Sequence, residues 1–367
     1  MTPKEFLAAC FGQDAAKLSK ARGSWADIDW EEVIKTARHE LLLPAVHKRF
    51  SDLGIVNQLP PDLPDFFLAV QELNAERNEA IFTELAFVAQ LLNQKGIEPV
   101  LLKGAASCAV AIYQNPAARY LWDVDLLIPE QQLSMAVDIL LANGFTPSST
   151  DRLGRFRHHY PPLQRNGSIF FELHRSLGLG ICSSLLPASE VVERSVVIDF
   201  RGSRVRIPAP TDLMTHLIMH SQIRHPYQER IWPPLRAMLD FVRLNRSFKD
   251  EIDWSTICRR FRTVKQSGVL ELHLLDIHDA LGEPPPFPMH LTTLTKLRRL
   301  RRRVLSRVPA LRFIDPVYMY SVVLAARLRL LRNVLTHKGG WQNIAIELFS
   351  AGLYRRLAAD IKEGRGR

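Results

Sequence analysis

The chain has 367 residues, of which 47% are hydrophobic and 23% charged, a composition that excludes a disordered or collagen-like protein. Its 48 Lys+Arg and 38 Asp+Glu give a formal net charge of +10, but residues 296–367 hold 17 of the basic and only 4 of the acidic residues. The remainder is slightly acidic, which excludes a uniformly basic coat for nucleic acid, and the length suggests two or three structural units.

The cysteines and the apolar segments bear on the cellular compartment. The four cysteines lie far apart in the sequence without any C-x-x-C pair, which favours a reducing environment. The first twenty residues carry charges throughout and so lack the apolar centre of a signal peptide. The apolar stretch at 317–326 is far shorter than the roughly 20 residues that a membrane span needs. We therefore expect a cytoplasmic protein without a transmembrane segment.

The hydrophobic pattern divides the chain into three parts. Residues 1–95 repeat apolar side chains at intervals of three and four, as in Ile81, Leu85 and Val88, which predicts a helical N-terminal unit. Residues 96–210 mix short strand-like and helical runs. Residues 211–367 return to helical spacing and become basic from residue 296. The sequence thus predicts an α+β core flanked by an N-terminal and a C-terminal helical unit.

Within the middle part, strand-like and helical runs follow one another. Strands are predicted at 99–102 and 121–128, with helices at 105–113 and 131–143. Two further strands, at 155–165 and 168–175, are joined by Asn166-Gly167, a strong signal for a tight hairpin. Strands at 196–200 and 204–207 complete a small mixed sheet.

A pair of acidic residues on one strand is the first chemical signal. Side chains two apart on a strand point to the same face, so Asp123 and Asp125 present neighbouring carboxylates while Val124 and Leu126 face the core. Two such carboxylates repel one another unless a cation lies between them, and oxygen ligands suit Mg²⁺ or Mn²⁺. The pattern predicts a divalent metal site.

A third acidic residue stands on the second strand of the predicted hairpin. Glu172 and His174 share one face of that strand. If this strand lies beside the one bearing Asp123 and Asp125, three carboxylates would surround a two-metal site suited to in-line phosphoryl transfer. We interpret His174 as a hydrogen-bonded strand residue rather than a catalytic base.

A strand, a glycine turn and a helix start precede these carboxylates. In the run Leu101-Leu-Lys-Gly-Ala-Ala-Ser107, Gly104 permits close backbone approach and Lys103 adds a positive charge. The following helix start offers N–H groups to an anion. The run predicts a phosphate-binding turn, in which we include Ser107.

Together these motifs resemble the polymerase-beta superfamily of nucleotidyltransferases, in particular a bacterial branch with the pattern L-K-G-A…Y…P…R-x-x-x-D-x-D-L-L and a later E-L-H. The aminoglycoside nucleotidyltransferases are similar in layout. The matching residues are Leu102-Lys-Gly-Ala105, Tyr113, Pro116, Arg119, Asp123, Asp125-Leu-Leu127 and Glu172-Leu-His174.

The resemblance implies a polymerase-beta-like core that moves a nucleoside monophosphate from an NTP such as ATP to an acceptor and releases pyrophosphate. Asp123, Asp125 and Glu172 would be catalytic and would bind Mg²⁺ or Mn²⁺, with Glu172 as a metal ligand or a general base. Gly104 would approach the triphosphate. Lys103, Ser107 and Arg119 complete the nucleotide-binding residues that we expect, and the acceptor would be a small molecule, a peptide or a saccharide.

Two other functions remain open from the sequence. D-x-D motifs also bind metal and sugar nucleotides in glycosyltransferases, although the helical first 95 residues argue against that fold. A nucleotide-binding relative without turnover is the other alternative. It is favoured by two departures from the superfamily pattern, a Lys-Gly pair where Gly-Ser is common and Trp122 where a small residue is common.

The basic C-terminal part carries a separate prediction. In residues 296–305, apolar side chains recur along a strongly basic helical segment. This pattern is typical of a solvated helix packed on its own domain, and equally of a helix that binds an anionic membrane surface or an acidic partner. Residues 296–335 are therefore a candidate partner surface, which would make the protein peripheral at a membrane.

Overall fold

The computed structural model describes residues 1–23, 28–148, 158–224, 233–308 and 310–311. The chain begins with helices, as the periodicity predicts. Thr2 and Glu5 form a capping box at the first of them, and Asp29 caps the third. These helices are α1 Pro3–Phe11, α2 Ala15–Gly23, α3 Trp30–His39, α4 Leu43–Asp52 and the long α5 Leu63–Asn93.

One mixed sheet of seven strands forms the centre of the described molecule. Its spatial order is β3-β4-β5-β2-β1-β7-β6. The β1–β7 and β2–β5 pairs are parallel and the others antiparallel. The strands are β1 Val100–Leu101, β2 Asp123–Leu127, β3 Thr146–Pro147, β4 Leu163–Gln164, β5 Phe170–His174, β6 Val196–Phe200 and β7 Ser203–Ile207.

Two hairpin turns have paired residues with positive φ, and the first is the predicted turn. Asn166 and Gly167, between β4 and β5, both have positive φ, +52° and +71°. Arg201 and Gly202, between β6 and β7, repeat this at +55° and +78°. Paired positive φ values match the twist of antiparallel strands, and the second turn sets the register of its hairpin, in which Phe200 stands opposite Ser203. Residues 155–157, which begin the strand predicted at 155–165, lie outside the described residues.

Helices pack around and after the sheet. Those inserted between strands are α6 Lys103–Ala109, α7 Glu130–Ala142, α8 Ile181–Leu185 and α9 Ala188–Arg194. Those that follow are α10 Pro210–Met219 with a π-helical turn His220–Arg224, then α11 Leu235–Ser247, α12 Trp254–Thr263, α13 Ser267–Leu281 and α14 Thr293–Arg307. The expected α+β class, a small mixed sheet flanked in sequence by helices, is confirmed.

The chain divides into two compact units, Met1–Lys296 and a second unit that starts at Leu297. The boundaries predicted after residues 95 and 210 stay a prediction. No helix in the described ranges is long and apolar enough to cross a membrane.

Helix α14 carries the basic segment, and its Leu294, Leu297 and Leu300 are each 57% exposed. Of the predicted partner surface at 296–335, the part from residue 312 onward lies outside the described residues.

Candidate active site

Two parallel neighbouring strands bring the predicted carboxylates together. In the register of β2 and β5, Asp125 stands opposite Glu172, and Asp123 stands opposite Phe170. Val124 and Leu126, on the other face of β2, are fully buried in the core. Core packing therefore places the acidic residues of β2 and β5 side by side on one face of the sheet.

His174 lies between two of these carboxylates. Its Nε2 is 2.7 Å from Oδ1 of Asp125 and 3.3 Å from Oε2 of Glu172. Asp125 and His174 are almost completely buried, at 2% and 3% exposure of their side chains. The ring is thus the hydrogen-bonded strand residue that the sequence indicates, and it joins the two strands through their acidic side chains.

Burial and mutual repulsion set the charge states of the site. Burial, and next to it the charge of Asp125, raises the pKa of Asp123 to about 6. Burial alone would also raise the pKa of Asp125, but Lys103 and His174 outweigh it and hold that pKa well below its usual range. Burial disfavours the charged form of His174, but its bonds to Asp125 and Glu172 raise its pKa. The negative charge of the carboxylates is therefore only partly balanced by the positive charges of Lys103 and His174.

The donor atoms of this cluster fit a divalent cation. One ligand atom from each of Asp125, Glu172 and His174 lies within 4.8 Å of the others. Two carboxylates with one imidazole suit Mn²⁺, and the carboxylate oxygens also suit Mg²⁺. Asp123, two residues before Asp125 on the same strand, lies outside this set of three. The cluster therefore differs from the three-carboxylate set that the sequence predicts, because His174, bonded to Asp125 and Glu172, stands in it and Asp123 does not.

Lys103 forms an ion pair with one carboxylate of the cluster, that of Asp125. It starts α6 with φ +47°, a left-handed backbone that non-glycine residues seldom adopt, and its Nζ forms an ion pair with Oδ1 of Asp125. Burial opposes the charge of Lys103, but Asp125 and Asp123 outweigh it and raise its pKa. A strained backbone at a site residue is a common sign of function. Lys103 places a permanent positive charge at the carboxylates.

Gly104 and Ser107 follow Lys103 on the short helix α6. A Cβ on Gly104 would lie 2.7 Å from Cδ2 of Leu121, so any larger residue here would require the Leu121 side chain to shift. Ser107 is half-buried one helical turn after Lys103. Helix α6 starts earlier and ends earlier than predicted, at Lys103 and Ala109, because Ala111 has φ +53° and breaks the helical run.

Arg119, which we expect to contact a phosphate, is buried and pairs with an acidic residue. Its Nη2 donates to Oδ2 of Asp240 at 2.9 Å, and its Nη1 donates to the carbonyl of Tyr120 at 2.6 Å. The hydroxyl of Tyr113 donates to the same Asp240. A buried guanidinium needs such a carboxylate partner. The guanidinium of Arg119 thus pairs with Asp240 and lies close to Gly104, and its role as a phosphate contact stays a prediction.

Long helix α5 fixes the loop that carries Arg119. Nδ2 of Asn78 donates to the carbonyls of Pro116 and Arg119, both at 2.8 Å, and Nδ2 of Asn74 donates to the carbonyls of Ala117 and Arg119. Both asparagines are buried. The loop just before β2 is therefore held by the N-terminal helices.

Two further residues near the site are ones that the sequence indicates chiefly as ordinary helix residues. Asp240, on α11, is the partner of Arg119, and His216, on α10, is buried near the carboxylates. Burial, followed by the charge of Lys103, lowers the pKa of His216 to about 3 and so keeps it neutral. Both residues come from helices far along the chain, where the periodicity of the sequence explains them as ordinary helix residues.

Comparisons with known proteins give the family of the chain. Residues 26–282 match the family described as "Uncharacterised nucleotidyltransferase", well over half of the chain. No curated protein matches the sequence. The solution structure of the antibiotic-resistance factor ANT(2'')-Ia is similar at 12% identity and TM-score 0.36, over 53% of this chain and 97% of its own.

An antigenic nucleotidyltransferase-like protein from Paracoccidioides brasiliensis is similar at 18% identity and TM-score 0.34, over 55% of this chain and 92% of its own. These two likenesses are weak and carry no argument about substrate. The family match spans the helical N-terminal part, the sheet with its acidic strands and the first helices after the sheet. The chain belongs to this nucleotidyltransferase family.

Proposed function

We propose that this protein transfers a nucleoside monophosphate from an NTP to an acceptor and releases pyrophosphate, with Mg²⁺ or Mn²⁺ as its cofactor. One observation carries the proposal: β2 and β5 run in parallel and bring Asp125, Glu172 and His174 into one cluster, with Lys103 beside it. A cluster of acidic oxygens beside a fixed positive charge suits a triphosphate bound with a divalent cation.

Each residue has a defined task in this proposal. Asp123, Asp125 and Glu172 hold the metal, and His174 orients Asp125 and Glu172 through its two hydrogen bonds. When bound, the metal supplies positive charge to the phosphate oxygens. Lys103 adds further positive charge beside the phosphates, and Gly104 lets the backbone approach them. Ser107, one turn further along α6, is the remaining nucleotide contact that we propose.

The reaction forms one bond and breaks one. An acceptor oxygen bonds to the α-phosphorus, and the bond from that phosphorus to the bridging oxygen of pyrophosphate breaks. The acceptor hydroxyl gives up its proton, for which Glu172 is the candidate base. The acceptor that we propose is a small molecule, a peptide or a saccharide.

A nucleotide-binding protein without turnover is the second candidate, and one observation favours it. Lys103 and His174 both contact Oδ1 of Asp125, so a metal would have to share or displace these contacts. Product formation from a labelled NTP decides between the two candidates. The glycosyltransferase alternative loses support because the chain belongs to a nucleotidyltransferase family.

The test measures pyrophosphate released from NTPs in the presence of cell extract and Mg²⁺ or Mn²⁺. Wild type should release pyrophosphate only with the metal, and Asp125→Asn should abolish the release. Asp138→Asn, which neutralises an exposed carboxylate on α7, should keep wild-type activity. Full activity of Asp125→Asn would overturn the proposal.

A further inference from the structure

An exposed aromatic surface lies immediately before the acidic strand. Trp122, the residue that precedes Asp123, is 64% exposed. Its ring centroid lies 6.2 Å from that of Tyr120, with 48° between the ring planes. We call Arg77, Tyr120 and Trp122 the aromatic platform. Tryptophan is mostly buried in folded proteins. An exposed ring of this size beside a candidate active site therefore points to a ligand.

The platform is held in place by the surrounding structure. The guanidinium of Arg77, on α5, lies 4.5 Å from the ring centroid of Tyr120. The carbonyl of Tyr120 accepts from buried Arg119, whose own carbonyl accepts from two buried asparagines of α5. A ring carried on a segment with this many backbone contacts loses little freedom when a ligand stacks on it.

The platform is next in the chain to two parts of the proposed nucleotide site, the residue that packs on the Gly104 turn and the first carboxylate. Leu121, between its two aromatic residues, packs against Gly104, where a Cβ would come within 2.7 Å of Leu121 Cδ2. Asp123 follows Trp122 directly, so their Cα atoms are about 3.8 Å apart. The platform and the carboxylates are therefore joined by one peptide bond, a separation that is short beside the length of a nucleotide.

The chemistry of the platform suits a planar ring. Bases stack on aromatic side chains through their π-faces, and this stacking tolerates every base. A cation over one ring of the platform adds an attractive surface for electron-rich heterocycles. We infer that the aromatic platform stacks the nucleobase of the NTP, chiefly on Trp122. This inference rests on the proposed function and adds to it the group that binds the base.

The test separates the base from the phosphates. Calorimetric titrations with Mn²⁺ would compare ATP and inorganic tripolyphosphate on wild type, Trp122→Ala and Trp122→Phe. Val196→Ala, a change at another exposed apolar residue on the distant edge strand β6, is the matched control. Trp122→Ala should weaken ATP binding about 5- to 150-fold, the range for one stacked base. Its affinity for tripolyphosphate should be that of wild type, and Trp122→Phe should retain most of the affinity for ATP.

Three results would overturn the account at different points. If wild type binds ATP and Trp122→Ala binds it equally well, the stacking role is wrong and the proposed function stands. If Trp122→Ala weakens ATP and tripolyphosphate by the same factor, the residue supports the phosphate site instead, and the stacking role is again wrong. If wild type binds neither ligand, the proposed function itself fails.

Discussion

Replacement of Lys103 by methionine tests how the acidic cluster is balanced. The lysine pairs with Asp125, whose side chain is 2% exposed, while Lys103 itself retains 23% exposure. Breaking a buried ion pair by removing one partner costs about 3–5 kcal/mol. We expect about 3 kcal/mol for Lys103→Met, at the low end because water still reaches the lysine. The cost falls on Asp125, left among acidic neighbours with only His174 as its partner.

The assay is urea denaturation with EDTA and again with Mn²⁺. Because Mn²⁺ can replace the lost positive charge, it should stabilise Lys103→Met more than wild type. The control is Lys48→Met, which removes the partner of Asp52 at an exposed ion pair of the same type and should cost under about 1 kcal/mol. The reasoning is refuted if Lys103→Met lowers the free energy of unfolding no more than Lys48→Met does. It is also refuted if Mn²⁺ stabilises Lys103→Met and wild type equally.

Two further predictions concern the support beneath the site. Asp240→Ala leaves the buried guanidinium of Arg119 without its carboxylate and should cost about 3–5 kcal/mol, whereas Asp240→Asn keeps an acceptor and should cost less; equal, small losses in urea denaturation would contradict this. Gly104→Ala places a methyl 2.7 Å from Cδ2 of Leu121, which is 1% exposed and packed in the core, so we expect a loss of about 1–3 kcal/mol. Leu121→Ala in the same chain should recover part of that loss, and strictly additive effects in the double-mutant cycle would show that the two side chains do not collide.

The sequence predicts well those features that depend on local spacing. Alternation places Asp123 and Asp125 on one face of β2, and Asn166-Gly167 sets the hairpin that carries Glu172. Both features follow from residues that are close in sequence, where pleat and turn geometry suffice. That the strand of Glu172 lies beside the strand of Asp123 and Asp125 was a hypothesis, and the structure shows the two strands paired in parallel.

Features that depend on distant contacts could not be predicted. Arg119 meets Asp240 from a helix 121 positions further along the chain, and no local pattern links the two. Alternation puts His174 on the same face as Glu172 but does not show that its ring bonds to both Asp125 and Glu172 across the sheet. The positive φ of Lys103 could not be predicted either, because the position carries a lysine and not the glycine or asparagine that favours this backbone.

The central claim is that the paired acidic strands catalyse transfer of a nucleoside monophosphate. Parallel incubations with α-labelled and γ-labelled NTP, Mg²⁺ and cell extract test it most directly, with products separated and identified by mass spectrometry. Wild type should place the α-label on an acceptor and release the γ-label as pyrophosphate, and Asp125→Asn should do neither. Transfer of the γ-label to the acceptor, or α-label transfer that persists in Asp125→Asn, would contradict the account.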